Sequence, residues 1–312
     1  MLAAVALVTA LFSGAFVVAH WAPDLDPAPL EARYAPPPSQ FVEIAGLRTH
    51  LRDTGPRTDP MPLVLLHGFG SSLHTWDGWA AALEPSRRVV RIDLPGFGLT
   101  GAPLDTAPGL DADVAHVVAL LDALGLPRVA IGGNSMGGAV AIALAARSPQ
   151  RVGALVLVAS AGFAPPEREL PIGMRIAGLP GVRTLAQSVL PLDWVAASLR
   201  AARGDPAGLD EATVERYHAL LRRAGNREAF VRRFASLQRE SVAEALSSLD
   251  VPTLVLWGGR DRLIPPAVGE RFAREIRGAR LVVHDDLGHL PQEEAPQRTA
   301  ADVARFLEAL AR

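Results

Sequence analysis

Residues 128–146 read RVAIGGNSMGGAVAIALAA. A short apolar run passes through Gly133-Asn134-Ser135-Met136-Gly137 straight into a segment of small residues. An apolar run without alternation is a strand buried on both faces, which in practice means a parallel sheet sandwiched between helices. A helix of Ala and Gly packs close against whatever covers it. The stretch therefore demands a buried strand, a sharp turn at Ser135 and a helix lying tightly on the sheet.

The same pattern recurs along the chain. PLVLLHG is followed by LHTWDGWAAAL, RRVVRIDLPG by LDADVAHVVALLDALG, and VGALVLVAS follows the Ser135 unit. Before these, FVEIAGLRTHLRDTG alternates about Gly46 as a β-hairpin does. The alternation stops after Ser160, and only helical patterns follow to Leu249. The sheet then resumes with VPTLVLWGG, a helix from Ala267, the strand ARLVVHDD and a last helix, QRTAADVARFLEALAR. The expected architecture is an α/β fold: a mostly parallel sheet, helices on both faces, and a helical cap inserted between two strands. The cap lies over the C-terminal strand edge, where open α/β sheets bind ligands. The expected division is a core over 41–162 and 250–312, with the cap at 163–249.

Residues 1–22 carry no Asp, Glu, Lys or Arg. As a helix they would span about 33 Å, enough for a bilayer core. They are expected to be a transmembrane anchor, with a cleaved signal segment as the rival. The acidic flank beyond favours a body on the non-cytoplasmic side of a bacterial inner membrane, or secretion if the segment is cleaved. Residues 23–40 hold six prolines and read as an extended linker. A net charge of −2 points to no nucleic-acid partner, and the absence of cysteine removes thiolate catalysis and Cys-based metal sites.

Ser135 on a strand–turn–helix junction projects its hydroxyl above the sheet, provided that small residues flank the turn. A hydroxyl needs a base and an orienting acid to become a nucleophile. Asp261, in LVLWGGRDRLIP, and His289, in VVHDDLGHLP, follow later strands in the order Ser, Asp, His. They end at the same sheet edge as Ser135. Asp285 and Asp286 are rival acids, but they sit too near His289 in its own loop; His284 lies within a strand and reads as structural. The developing oxyanion would be met by the N–H of Met136 and by that of Phe69, in the HGFG turn after PLVLLHG. His67 would brace that turn. Gly96, Gly98 and Gly101 fit a dinucleotide fingerprint, but Pro103 and Pro108 follow where the fingerprint needs a helix.

With HGFG, DLPGFG, GNSMGG, WGGRDRLIP and GHLPQEE in order, the sequence over Phe41–Arg312 resembles the α/β-hydrolase superfamily. The resemblance implies a Ser135–His289–Asp261 serine hydrolase without metal or organic cofactor. GNSMGG is similar both to membrane-anchored monoacylglycerol-lipase-like hydrolases and esterases and to C–C hydrolases of aromatic meta-cleavage pathways. The C–C enzymes usually carry an aromatic after the catalytic Gly-His. Leu290–Pro291 departs from that, so the expectation is hydrolysis of a carboxylic ester, a lipophilic small molecule or lipid, with C–C hydrolysis as the alternative. A non-catalytic binding protein on the same fold is the reading outside enzymes. Met174, Leu179, Leu190 and Trp194 are available to line a cap entrance. The arginine-rich run 215–240 reads as a solvated helical face, or one that touches anionic headgroups.

Overall fold

A computed structural model describes residues 17–102, 107–163, 189–237 and 240–310. Its framework starts from a two-residue turn. Ala45 (φ 50°) and Gly46 (φ 81°) both lie in the left-handed region, as the turn that matches strand twist requires. That turn sets the register of strand β1 (Ser39–Ile44) on β2 (Leu47–Thr54), with Ile44 opposite Leu47. The strands β3 (Leu63–Leu66), β4 (Val89–Ile92), β5 (Val129–Asn134), β6 (Val152–Val158), β7 (Thr253–Gly258) and β8 (Arg280–His284) complete one eight-stranded sheet. Its order is β1-β2-β4-β3-β5-β6-β7-β8. The two pairings of β2 are antiparallel and the rest are parallel.

Successive side chains of a strand point to opposite faces, so the continuous apolar runs feed two separate cores. Val64, Leu66, Ile131, Leu157 and Val255 face helices α3 (Leu110–Ala123), α4 (Met136–Arg147) and α8 (Pro266–Glu275). Their neighbours Leu63, Leu65, Ala130, Val156 and Leu254 face α2 (Asp77–Leu83) and α9 (Pro296–Leu310). Trp76 and Trp79, fully buried, fill the second core with ring centroids 4.9 Å apart.

Between β6 and β7 lie α5 (Leu192–Ala202), α6 (Glu211–Leu221) and α7 (Asn226–Leu237), with a short turn of helix at Ala243–Leu246. Val195, Leu199, Val214 and Tyr217 form their own apolar cluster, which includes Leu290 from the loop after β8. Of the residues expected to line an entrance, Met174 and Leu179 lie outside the described residues. Leu190 packs on this cluster, and Trp194 is exposed.

Two expectations about the N-terminal part need correction. The stretch 23–40 is not an extended linker throughout. It contains helix α1 (Pro27–Tyr34), with a proline in its first turn where the missing N–H is harmless. Leu30 and Tyr34 bury against Leu99, Ala219 and Leu220. The membrane-anchored location is also overturned, because among the described residues no helix is long and apolar enough to cross a membrane. Residues 1–16 lie outside the described residues. Within the rest of the stretch, residues 17–19 are helical. Trp21 then pairs with Val189, and Ala22 is buried against the protein.

The arginines of 215–240 are not simply a solvated face or a headgroup contact either. Arg222 donates to the Pro23 carbonyl (3.1 Å), and Arg227 to the Ala22 carbonyl (2.5 Å) and to Asp24. Arg233, fully buried, binds Asp113 on α3 and Glu240.

Candidate active site

β5 ends at Asn134, and α4 begins at Met136. The whole change of direction falls on Ser135, at φ 52° and ψ −118°. A non-glycine residue there stores strain of about 1–3 kcal/mol, which the surroundings must hold in place. The flanking glycines make the crossing possible. A Cβ on Gly133 would run into the Gly137 carbonyl group, and one on Gly137 into the Leu66 carbonyl on the neighbouring strand. Ser135 N–H donates to the Val158 carbonyl at the end of β6 (3.1 Å), and its own carbonyl accepts from Ala161 N–H (2.9 Å). Ser135 itself stays partly exposed, while both neighbours are buried. Met136 is the first residue of α4, so its N–H has no acceptor within the helix.

The loop after β3 lies against this elbow. A Cβ on Gly68 would come within 3.3 Å of Ser135 Cβ and 2.9 Å of Asn134 Oδ1. Phe69 follows, its ring packed on Phe97, Phe230 and Phe234 at 5.6, 4.2 and 5.8 Å between centroids. His67 braces the loop. Its Nδ1 donates to the Gly68 carbonyl (2.8 Å) and its Nε2 accepts Leu94 N–H (2.9 Å). Complete burial lowers its pKa, against the pull of Asp93, and keeps the ring neutral in the tautomer these bonds require.

Asp261 and His289 follow β7 and β8 and meet there. His289 Nδ1 donates to Asp261 Oδ2 (2.8 Å), and Asp261 Oδ1 accepts the N–H groups of Leu263 (2.8 Å) and Ile264 (2.9 Å). A carboxylate held by three donors is fixed in orientation, and with Nδ1 occupied the His289 Nε2 carries the free lone pair. Of the two rival acids, Asp286 pairs with Arg298 (2.8 Å), and His284, read as structural, binds Asp302 through Nε2 (2.8 Å).

Three glycines that fit a dinucleotide fingerprint have another role. Gly96, Gly98 and Gly101 all have positive φ. A Cβ on Gly98 would strike the Asp93 carboxyl group. The loop wraps this buried acid, which accepts N–H from Leu73 and Leu99 (2.7 Å each) and binds His50 Nδ1 (2.7 Å). Burial alone would raise the pKa of Asp93, but the charge and hydrogen bond of His50 pull it well below the carboxylate range. Among the described residues no group of three or more His, Asp or Glu is placed to hold a metal ion.

A profile of the alpha/beta hydrolase fold matches residues 61–296. The chain belongs to the alpha/beta hydrolase fold family. Among relatives of this alpha/beta hydrolase is 2-hydroxymuconate semialdehyde hydrolase of Pseudomonas sp. (strain CF600). It is 34% identical over 279 residues, covering 85% of this chain and 92% of the relative. Among solved structures, a meta-cleavage product hydrolase from Pseudomonas fluorescens IP01 superposes with a TM-score of 0.74 at 26% identity, covering 86% of this chain and 97% of that one. A membrane phospholipase A described as a bacterial virulence factor superposes with a TM-score of 0.77 at 26% identity, covering 100% of this chain and 98% of that one.

One residue of the site was visible in the sequence without its role. Asn134 Nδ2 donates to the carbonyls of Val158 and His289, both at 3.1 Å. Glu294 sits just after His289 in GHLPQEE, and nothing in that run marks its side chain as part of the site.

Proposed function

We propose that this alpha/beta hydrolase attacks carbonyl carbon through Ser135, and that the bond it breaks is a C–C bond beside a ketone or aldehyde. The carrying observation is the strained Ser135 elbow beside a His289–Asp261 pair, read with relatives named for this substrate class. A 2-hydroxymuconate semialdehyde contains no ester or amide, so its hydrolysis must break carbon from carbon. His289 Nε2 takes the Ser135 proton as Oγ bonds to the carbonyl carbon. The N–H groups of Met136 and Phe69 meet the oxygen as it becomes negative. Asp261 holds the ring and stabilises the imidazolium.

A simple carbanion is too basic to leave. A 2-hydroxy-dienoate can first ketonise, after which the electron pair of the breaking bond runs into the 2-oxo group. The leaving carbon then takes the proton from His289. Water deprotonated by the same nitrogen frees the acid from Ser135 and returns a proton to Oγ.

Ester hydrolysis, the expectation from sequence, becomes the second reading. It uses the same groups with an alkoxide as leaving group. Favouring it are Leu290 and Pro291 after His289, the Phe69–Phe230–Phe234 cluster, and the whole-chain similarity to a phospholipase. Wild type and Ser135→Ala, assayed on a 2-hydroxy-6-oxo-hexadienoate, on p-nitrophenyl esters of rising chain length and on monoacylglycerols, separate the two. Turnover of the dienoate at least ten-fold above that of any ester, in kcat/KM, supports C–C hydrolysis. The reverse order supports the ester reading. Full activity in Ser135→Ala overturns both. No turnover and no labelling of Ser135 by a fluorophosphonate would favour a non-catalytic binding protein.

A further inference from the structure

Resting on Ser135 as nucleophile and His289 as base, we propose that Glu294 is a positioning residue that locks the inserted helices to the His289 loop. Its Oε1 accepts Gly288 N–H (2.8 Å), the residue before His289. Its Oε2 accepts Gly204 N–H (2.7 Å), just beyond the end of α5, with Asp205 N–H at 3.4 Å. One carboxylate thus bridges the backbones of two segments that are far apart in sequence.

These segments touch directly as well. His289 N–H donates to the Ala202 carbonyl (2.7 Å). A Cβ on Gly204 would run into the Asp286 carbonyl, and one on Gly288 into Gly204 N and the Ala202 carbonyl. Both glycines are needed for backbone to lie on backbone. His289 is consequently suspended between two parts of the fold. Asn134 of the sheet holds its carbonyl, and Ala202 of the insertion holds its N–H. Glu294 sets the distance between those anchorages. A displacement of the ring by about 1 Å would slow proton transfer by about a hundredfold.

The test is kinetic. Glu294→Gln keeps the shape of the side chain but offers one acceptor oxygen where two N–H groups need one each. Expected for this variant are a kcat about 10- to 100-fold below wild type, a KM within about two-fold, and labelling of Ser135 by a fluorophosphonate slowed by a similar factor. Gly204→Ala, which forces the same two segments apart, should reproduce the pattern. A wild-type kcat and labelling rate in Glu294→Gln would overturn the proposal, as would a loss confined to KM. Because Gln fills the same space, a role in packing alone would be rescued by it. If wild type itself is not labelled, the assignment of Ser135 fails instead, which is a separate result.

Discussion

Asn134 hangs the His289 loop on the sheet: the two hydrogens of its side-chain amide reach the carbonyls of His289 and Val158, each at 3.1 Å. The residue next to the proposed nucleophile therefore fixes where the proposed base begins. In Asn134→Ala the His289 carbonyl, facing a buried site, loses that donor. Stability should fall by about 1–3 kcal/mol, read by urea unfolding. The kcat should fall at least ten-fold with KM little changed. An unchanged kcat would show that the His289 loop holds its place without this amide.

Ser135 pays in backbone strain for the exposure of its hydroxyl, so two substitutions that both remove that hydroxyl should differ in stability. Glycine adopts φ 52° without a Cβ penalty, whereas alanine keeps it. Ser135→Gly should be more stable than Ser135→Ala by about 1 kcal/mol, measured as a difference in thermal midpoint. Equal midpoints would mean that the surrounding contacts, and not the serine, absorb the strain.

The carboxyl of Asp261 performs two tasks with different oxygens. Oδ1 holds the turn through Leu263 and Ile264, and Oδ2 holds the ring of His289. In Asp261→Asn the retained oxygen can keep the turn, while the new amide opposes the Nδ1–H tautomer. Activity should drop by about four orders of magnitude with the thermal midpoint shifted little. A large drop in midpoint with activity retained in the folded fraction would contradict this split of roles.

Asp113 offers a prediction in pH. Burial pushes its pKa up to about 6, with Glu240 adding to the rise, although the charge and hydrogen bond of Arg233 oppose it. The folded state then holds this proton more tightly than the unfolded state does. Its contribution to stability is complete below the ordinary carboxyl pKa near 3.8 and is lost as pH rises through about 6. Relative to Asp113→Asn, wild type should therefore lose stability between about pH 4 and pH 6, by no more than about 3 kcal/mol. Urea unfolding of both proteins across that range measures it. Parallel pH curves would show that Asp113 titrates alike in both states.

What could be read beforehand follows from the range of the forces involved. The elbow, the hairpin and the buried strands declare themselves locally, through glycines, alternation and apolar runs. The positions of Asp261 and His289 at strand ends follow from topology once the strands are recognised. The docked helix Pro27–Tyr34 was obscured because prolines, read as marks of extended chain, also suit a helix's first turn. The buried Arg233–Asp113 pair looks like surface charge in sequence, since burial depends on a partner 120 residues away. Glu294 carries no signal at all: its two acceptors serve backbone N–H groups, which every residue but proline has.

The segment around α1 has a consequence for the order of events during synthesis. Leu25 exchanges backbone hydrogen bonds with Arg222 and Ala224, and Asp24 binds Arg227, 203 residues later in the chain. Leu30 and Tyr34 rest on Ala219 and Leu220. None of these partners exists while β1 to β6 are being translated. Until the inserted helices have been made, the apolar face of the segment can be covered only in part, by earlier residues such as Leu99. A piece translated early is among the last to reach its place, and the stretch of chain between defines the interval in which it needs protection.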